Sequence, residues 1–201
     1  MTILATIWDM GGVLLRTQDR TPRQEMAQRV GMNYEELTSL VFNSPSAIVA
    51  SLGKATAADH WENVRATLKL TAGEFARAPD EFWEGDRLDI DLVNSIRSLR
   101  PNYKTALLSN AWDDLRSMIE KKWQIADAFD QIIISAEVGV MKPNLRIYQI
   151  ALERLQVKPS EAVFIDDFQE NLESARQVGL QTIHFRNPEQ ALAELRRILA
   201  Q

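Results

Sequence analysis

Residues 3–13 read Ile3-Leu4-Ala5-Thr6-Ile7-Trp8-Asp9-Met10-Gly11-Gly12-Val13, an apolar run that stops at an acid and two glycines. A short run with no polar alternation, bounded by glycine, reads as a strand buried on both faces that enters a tight loop. Four more runs share this character: Thr105-Ala106-Leu107-Leu108, Ile132-Ile133-Ile134, Ala162-Val163-Phe164-Ile165 and Thr182-Ile183-His184-Phe185. Between and after them lie patterns of helical period. These are Leu115, Met118, Ile119 and Trp123; Leu145, Tyr148, Leu152 and Leu155; and Leu192, Leu195 and Leu199 behind a capping Asn187 and a first-turn Pro188. Strands alternating with helices predict right-handed crossovers and an α/β fold with a doubly wound, Rossmann-like parallel sheet.

One stretch breaks the alternation. Between residues 16 and 88 no strand pattern stands out, only helix signals. Thr21-Pro22-Arg23-Gln24 reads as a capping box with Pro at the first turn, Gly31 as a stop, and Asn33 to Glu36 as the next start. Trp61, Val64 and Leu68 form a third apolar stripe, and Phe75, Phe82 and Trp83 add aromatic bulk. The expected organisation is a core of residues 1–15 and 89–201 carrying an inserted α-helical cap domain at 16–88. The chain returns to the core through a helix marked by Leu92, Val93, Ile96 and Leu99.

Composition narrows the chemistry. With 23 Lys+Arg against 28 Asp+Glu, a net charge of -5 and no basic stripe, a nucleic-acid partner is not expected. No cysteine is present, which excludes disulfides, thiolate nucleophiles and cysteine-ligated metals. His60 and His184 are the sole histidines, too few for a histidine-built metal centre, and both read as structural. Any metal must then be a hard cation held by oxygen. No apolar run approaches the ~18 residues that span a bilayer, and the start has no basic, cleavable leader. A cytoplasmic protein without a membrane partner is the expectation.

In an open parallel sheet, ligands sit beyond the carboxyl ends of the strands. Asp9, Gly11 and Gly12 follow the first strand, Ser109 and Asn110 the second, Lys142 lies beyond the third and its Gly139 loop, and Asp166-Asp167 end the fourth. Clustered carboxylates raise one another's pKa unless a cation sits among them, and Mg²⁺ is the natural oxygen-bound resident. A lysine and main-chain N–H groups nearby suit phosphate, and a strand-end carboxylate can attack phosphorus.

Trp8-Asp9-Met10-Gly11-Gly12-Val13-Leu14, Leu107-Leu108-Ser109-Asn110, Gly139-Val140-Met141-Lys142-Pro143 and Phe164-Ile165-Asp166-Asp167 resemble, in order, the four motifs of the haloacid dehalogenase (HAD) superfamily. The helical insertion is similar to that superfamily's first-position cap, which would close over the site. The resemblance implies Asp9 as nucleophile and Mg²⁺ ligand, with the Gly11 carbonyl as a second ligand. Ser109 and Asn110, with Gly11 and Gly12, would bind the phosphoryl group. Lys142 would neutralise both nucleophile and phosphoryl group, and Asp166 with Asp167 would complete the metal site, Asp167 being the preferred direct ligand. The implied activity is Mg²⁺-dependent hydrolysis of a small phosphorylated metabolite, such as a sugar phosphate, by a monomer or homodimer.

One departure matters. The superfamily's phosphatases usually carry a second Asp, the general acid and base, two residues after the nucleophile, where this chain has Gly11. Its absence is expected to cost about 10²–10⁴ in rate and to favour good leaving groups. The Asp-x-Gly-Gly-Val form resembles a sugar-phosphate phosphatase subgroup, and Asp19 is the nearest acid that could substitute. Two alternatives stay open: a catalytically weak HAD-like domain binding phosphate or a protein partner, and a haloacid dehalogenase, against which the Asp166-Asp167 pair argues. Trp61, Phe82 and Trp83 read as cap core, and Asp113 and Asp114 as first-turn acids favoured by a helix dipole.

Overall fold

The computed structural model describes residues 2–200; residues 1 and 201, the outer ends of the expected core, lie outside the described residues. The strands are β1 (Ala5–Trp8), β2 (Leu15–Thr17), β3 (Asp86–Leu88), β4 (Lys104–Ser109), β5 (Gln131–Ile134), β6 (Ala162–Asp166) and β7 (Gln181–His184). Five of them form one parallel sheet in the order β5-β4-β1-β6-β7, with β1 at its centre.

Both faces of that sheet are covered, which is why its strands carry no polar alternation. Trp8, Leu107 and Ile165 pack on one side with Leu92, Val93 and Ile96 of α7 (Ile90–Leu99) and Leu195 of α12 (Pro188–Leu199). Ile7, Leu108 and Phe164 pack on the other with Ile147, Tyr148 and Leu152 of α10 (Leu145–Leu155) and Leu172 of α11 (Gln169–Val178). Each such side chain contributes roughly 1.5–3 kcal/mol by leaving water. The register places Trp8 opposite Ile165 and Leu107, so the residues that follow, Asp9 and Asp166 above all, emerge side by side at one rim.

Between β2 and β3 lie α1 (Thr21–Arg29), α2 (Tyr34–Asn43), α3 (Pro45–Ser51), α4 (Ala57–Leu68), α5 (Ala72–Phe75) and α6 (Ala78–Trp83). They enclose their own cluster, in which Met26, Leu37, Val41, Trp61 and Phe82 are buried and Trp83 is partly so. Asn33 opens α2 at the expected start and closes a capping box with Glu36, and Asn187 caps α12.

Four expectations need correction. The stretch counted as strandless contributes both partners of an antiparallel ribbon, Leu15 opposite Leu88 and Thr17 opposite Asp86. Three-residue strands of mixed polarity have no period to read; pairing across some 70 residues creates them. Thr21 does not cap α1: Arg20 holds the cap position without a side-chain bond, and Asp19 accepts from the Thr21 N–H instead. The helix of Leu115 to Trp123 starts as α8 (Leu115–Ser117) and widens to a π-turn over Met118–Lys122, with the Trp123 N–H reaching the Met118 carbonyl. Asp113 and Asp114 precede α8, Asp114 at its cap position without a side-chain bond, and Asp113 accepts instead from the Ala57 N–H at the start of α4. The remaining short helix is α9 (Ser135–Val138), which ends at left-handed Gly139.

His60 is structural, as expected, and fully buried in the helical layer. Its Nε2–H donates to the Val41 carbonyl at 2.9 Å and its Nδ1 accepts from the Ser46 hydroxyl at 2.9 Å. Burial holds its pKa below the ordinary 6.5, the Val41 bond opposing this only in part. A histidine kept neutral by the fold contributes stability above pH 6.5 that is lost as pH falls below it. The melting temperature should therefore drop more steeply between pH 7 and pH 5 in the wild type than in His60→Asn. Parallel thermal scans check this, and equal slopes would refute it.

Candidate active site

The first loop forms because the Leu14 and Leu15 N–H groups both bond the Met10 carbonyl, at 2.9 and 2.8 Å, while Gly12 donates to Leu15 at 2.9 Å. That turn needs Gly12 at φ +78, and a Cβ there would drive into the Asp167 carboxylate. Glycine is required there for its dihedral angle, and its missing side chain leaves room for the Asp167 carboxylate. Gly11 differs: a Cβ built on it meets nothing within 4 Å.

At the rim, Lys142 Nζ lies 2.7 Å from Asp9 Oδ1 and 2.7 Å from Asp166 Oδ2. It is 2% exposed, Asp9 6% and Asp166 0%. Burial alone would lower the lysine's pKa, but the two carboxylates overcome it and the ammonium is held above its usual range. Burial pushes the Asp9 carboxyl up to about 8, with Lys142 opposing and Asp166 and Asp167 adding to the rise. Asp167 is likewise raised, by burial and then by Asp166. The Lys142 ammonium also sits 5.5 Å from the Phe164 ring centroid.

The two acids of the fourth strand differ. Asp166 is saturated: Oδ1 accepts from Phe168 N at 2.7 Å and Asn171 Nδ2 at 3.0 Å, and Oδ2 from Lys142 and from Asn171 at 3.1 Å. Asp167 Oδ1 is buried with no hydrogen-bond partner. One oxygen from each of Asp9, Asp166 and Asp167 lies within 4.8 Å of the others. A buried, unpartnered carboxylate oxygen is costly unless something positive meets it, so the donor set fits a hard divalent cation.

Asn110 spends its side chain on Lys142: Nδ2 donates to the Lys142 carbonyl and Oδ1 accepts from the Lys142 N–H, both at 2.8 Å. Ser109, buried, closes β4 opposite Ile134. The structure therefore brings Asp9, Gly12, Ser109, Asn110, Lys142, Asp166 and Asp167 to one rim, with Gly11 at its exposed edge. Asp19 is not among them as an acid. It is fully exposed, and its bonds to Thr21 hold its pKa below the ordinary 3.8, the wrong direction for proton donation.

Sequence reasoning missed Asn171 and His184. Asn171 is a buried polar residue on the inward face of α11, and its main-chain oxygen also accepts from the Tyr148 hydroxyl at 2.9 Å. That polar interruption of an apolar face was the available signal. His184 reads from sequence as part of an apolar strand, but it is exposed on an edge strand, and its Nε2–H donates to the Asp167 carbonyl at 3.0 Å. Among the described residues no helix is long and apolar enough to cross a membrane.

Comparison with known proteins places this geometry in context. A family model described as haloacid dehalogenase-like hydrolase matches residues 3–179. The chain is 36% identical to mouse bifunctional epoxide hydrolase 2 over 111 residues, which cover 53% of this chain but only 20% of that protein. It is 26% identical to the sesquiterpene phosphatase astK of Aspergillus oryzae, covering 98% of this chain and 97% of that one. Its fold superimposes with a TM-score of 0.77 on a HAD family enzyme from Bacteroides thetaiotaomicron, solved in complex with magnesium and inorganic phosphate. That pair is 21% identical, covering 92% of this chain and 94% of the other.

Proposed function

The chain belongs to the haloacid dehalogenase-like hydrolases, and from that premise we propose that it is a Mg²⁺-dependent phosphatase acting on a small phosphorylated metabolite with a good leaving group. The observation that carries this reading is the acidic trio of Asp9, Asp166 and Asp167 with one buried oxygen left unpartnered, beside a lysine shared between Asp9 and Asp166.

Asp9 and Asp167 would hold the cation, together with the Gly11 carbonyl, and Asp166 supports them through Lys142 and Asn171. When bound, Mg²⁺ would neutralise charge on the phosphoryl oxygens. Asp9 Oδ1 accepts from Lys142 and from the Met10 N–H at 2.6 Å, so the attack falls to the other oxygen. That carboxylate attacks phosphorus, the bond to the leaving-group oxygen breaks with its electron pair, and an aspartyl-phosphate forms. Water then cleaves it, releasing inorganic phosphate and the free carboxylate. Lys142 stays protonated throughout and supplies fixed positive charge where the phosphoryl group develops negative charge. Ser109 contributes its hydroxyl to the phosphoryl oxygens. The Asn110 side chain contributes indirectly, by bracing the Lys142 main chain.

No side chain at position 11 can protonate the departing oxygen. Substrates with better leaving groups are therefore favoured, acyl and aryl phosphates first and anomeric sugar phosphates ahead of ordinary alkyl esters. Residues 16–88 act as the cap that walls the rim and sets specificity. The astK relative and the magnesium–phosphate complex of the bacterial enzyme support this reading. So does the buried acid pair, which halide displacement does not need.

The test is hydrolysis of an aryl phosphate and of acetyl phosphate with Mg²⁺ and with a chelator. Turnover that requires Mg²⁺ is expected. Turnover indifferent to chelation, or halide release from 2-chloropropionate without metal, would overturn the reading.

A further inference from the structure

We propose that Trp112 is a positioning residue through which the helical layer holds the Ser109–Asn110 loop, and with it Lys142, in working geometry. The phosphatase reading enters only the kinetic arm of its test. Residues 109–113 are consecutive, and each of the last four is tied down, in an order that switches from the sheet domain to the helical layer. Asn110 clamps the Lys142 main chain on both sides, at 2.8 Å each. Ala111 bonds Ser135 through its N–H at 3.0 Å and through its carbonyl at 3.1 Å. Trp112 then turns away from the sheet. It is 8% exposed, and its ring lies 4.7 Å from the His60 ring and 6.4 Å from each of Trp61 and Trp83. Asp113 follows by accepting from the Ala57 N–H, the first residue of α4, at 2.8 Å.

Among the described residues, Trp112 is the one buried member of that aromatic cluster that lies outside residues 16–88. Its ring packs edge-to-face with Trp61 and Trp83, the arrangement aromatic quadrupoles prefer. A third contact lies alongside: Gly53, at φ +68, runs so close to the Ala136 carbonyl that a Cβ there would collide with it. The α3–α4 corner is thus docked on Asp113, just beyond the Ser109–Asn110 loop, and on α9 beside it. Such docking does more than stabilise, because the side chain next to these ties, Asn110, is what fixes the Lys142 main chain. Displacements near 1 Å at such a group can cost about 10²-fold in rate.

The test uses the full chain with Trp112→Ala and Trp112→Phe. Amide hydrogen exchange at Lys142, whose N–H is bonded to Asn110 Oδ1, reports on the clamp without substrate. Exchange there should quicken roughly 10-fold or more in Trp112→Ala and return towards wild type in Trp112→Phe. In Mg²⁺, kcat should fall by one common factor of about 10 for acetyl phosphate and for a bulkier aryl phosphate, with KM within about 2-fold. Unchanged Lys142 protection would overturn the inference. So would an effect confined to the KM of the bulkier substrate, since Trp112 would then be only a wall of the pocket. If Trp112→Ala does not fold, Trp112→Leu retains an apolar plug without the ring and is read in the same way. A wild type without any turnover removes the phosphatase reading and leaves the exchange result to decide the role of Trp112.

Discussion

Asp9→Asn is expected to reduce Mg²⁺-dependent turnover by about 10⁴-fold or more, because it removes the attacking atom and a metal ligand together. Stability should move the other way. The fold raises the Asp9 carboxyl from 3.8 to about 8, so without metal it favours the protonated, neutral form. A raised carboxylate contributes stability that is complete below pH 3.8 and lost as pH climbs through about 8. Asparagine mimics the neutral form at every pH. The melting temperature of metal-free Asp9→Asn, relative to wild type, should therefore rise as pH goes from 5 to 9. Added Mg²⁺ should stabilise the wild type and not the variant. An inactive variant that also melts well below the wild type at pH 9 would show that Asp9 is mainly a structural partner of Lys142. An active variant would end the aspartyl-phosphate proposal outright.

Gly11→Asp should be a gain of function. Position 11 lies two residues beyond the nucleophile at the exposed edge of the rim, its φ is not positive, and a side chain there meets open space. The substitution therefore carries little backbone or packing penalty. An aspartate there can protonate a departing alkoxide and later activate water, an effect usually of about 10²–10⁴. Hydrolysis of alkyl phosphomonoesters should rise by about 10²-fold, while acetyl and aryl phosphates, whose leaving groups need no proton, should change by only a few-fold. Measuring kcat/KM across phosphates of graded leaving-group pKa checks this. The wild type should show a steep dependence on leaving group and Gly11→Asp a shallow one. Equal slopes would mean that the empty position has no bearing on substrate choice.

Much of this protein was legible before folding. The inner strands β1, β4 and β6 were read from apolar runs, since burial on both faces leaves that trace in one dimension, whereas the edge strand β7 carries exposed His184 within its run. Asp9, Lys142 and the Asp166-Asp167 pair were readable because they fall in order within four stretches that resemble one superfamily's motifs; alone, an acid beside glycines reads as a turn and a lone lysine as a solvated side chain. The ribbon of β2 and β3 was not legible, because three-residue strands exist only through a partner distant in the chain. The Thr21 cap was misread because Asp19, two residues earlier, takes the Thr21 N–H that a capping box would give to the Gln24 side chain.

What the sequence determined alone is therefore whatever repeats or clusters locally: the periodicity of burial, the glycine turns, and the identity of the charged residues at strand ends. What only the tertiary structure decided is pairing. It made Asp166 a saturated brace and Asp167 an acid with a free oxygen, although the two are neighbours in the chain. It set Asn171 beneath them and sent Trp112 into the helical layer. The reason is physical: local periodicity follows from which faces meet water, whereas a hydrogen bond or a packed ring depends on the distance to a partner, which the linear order of residues does not contain.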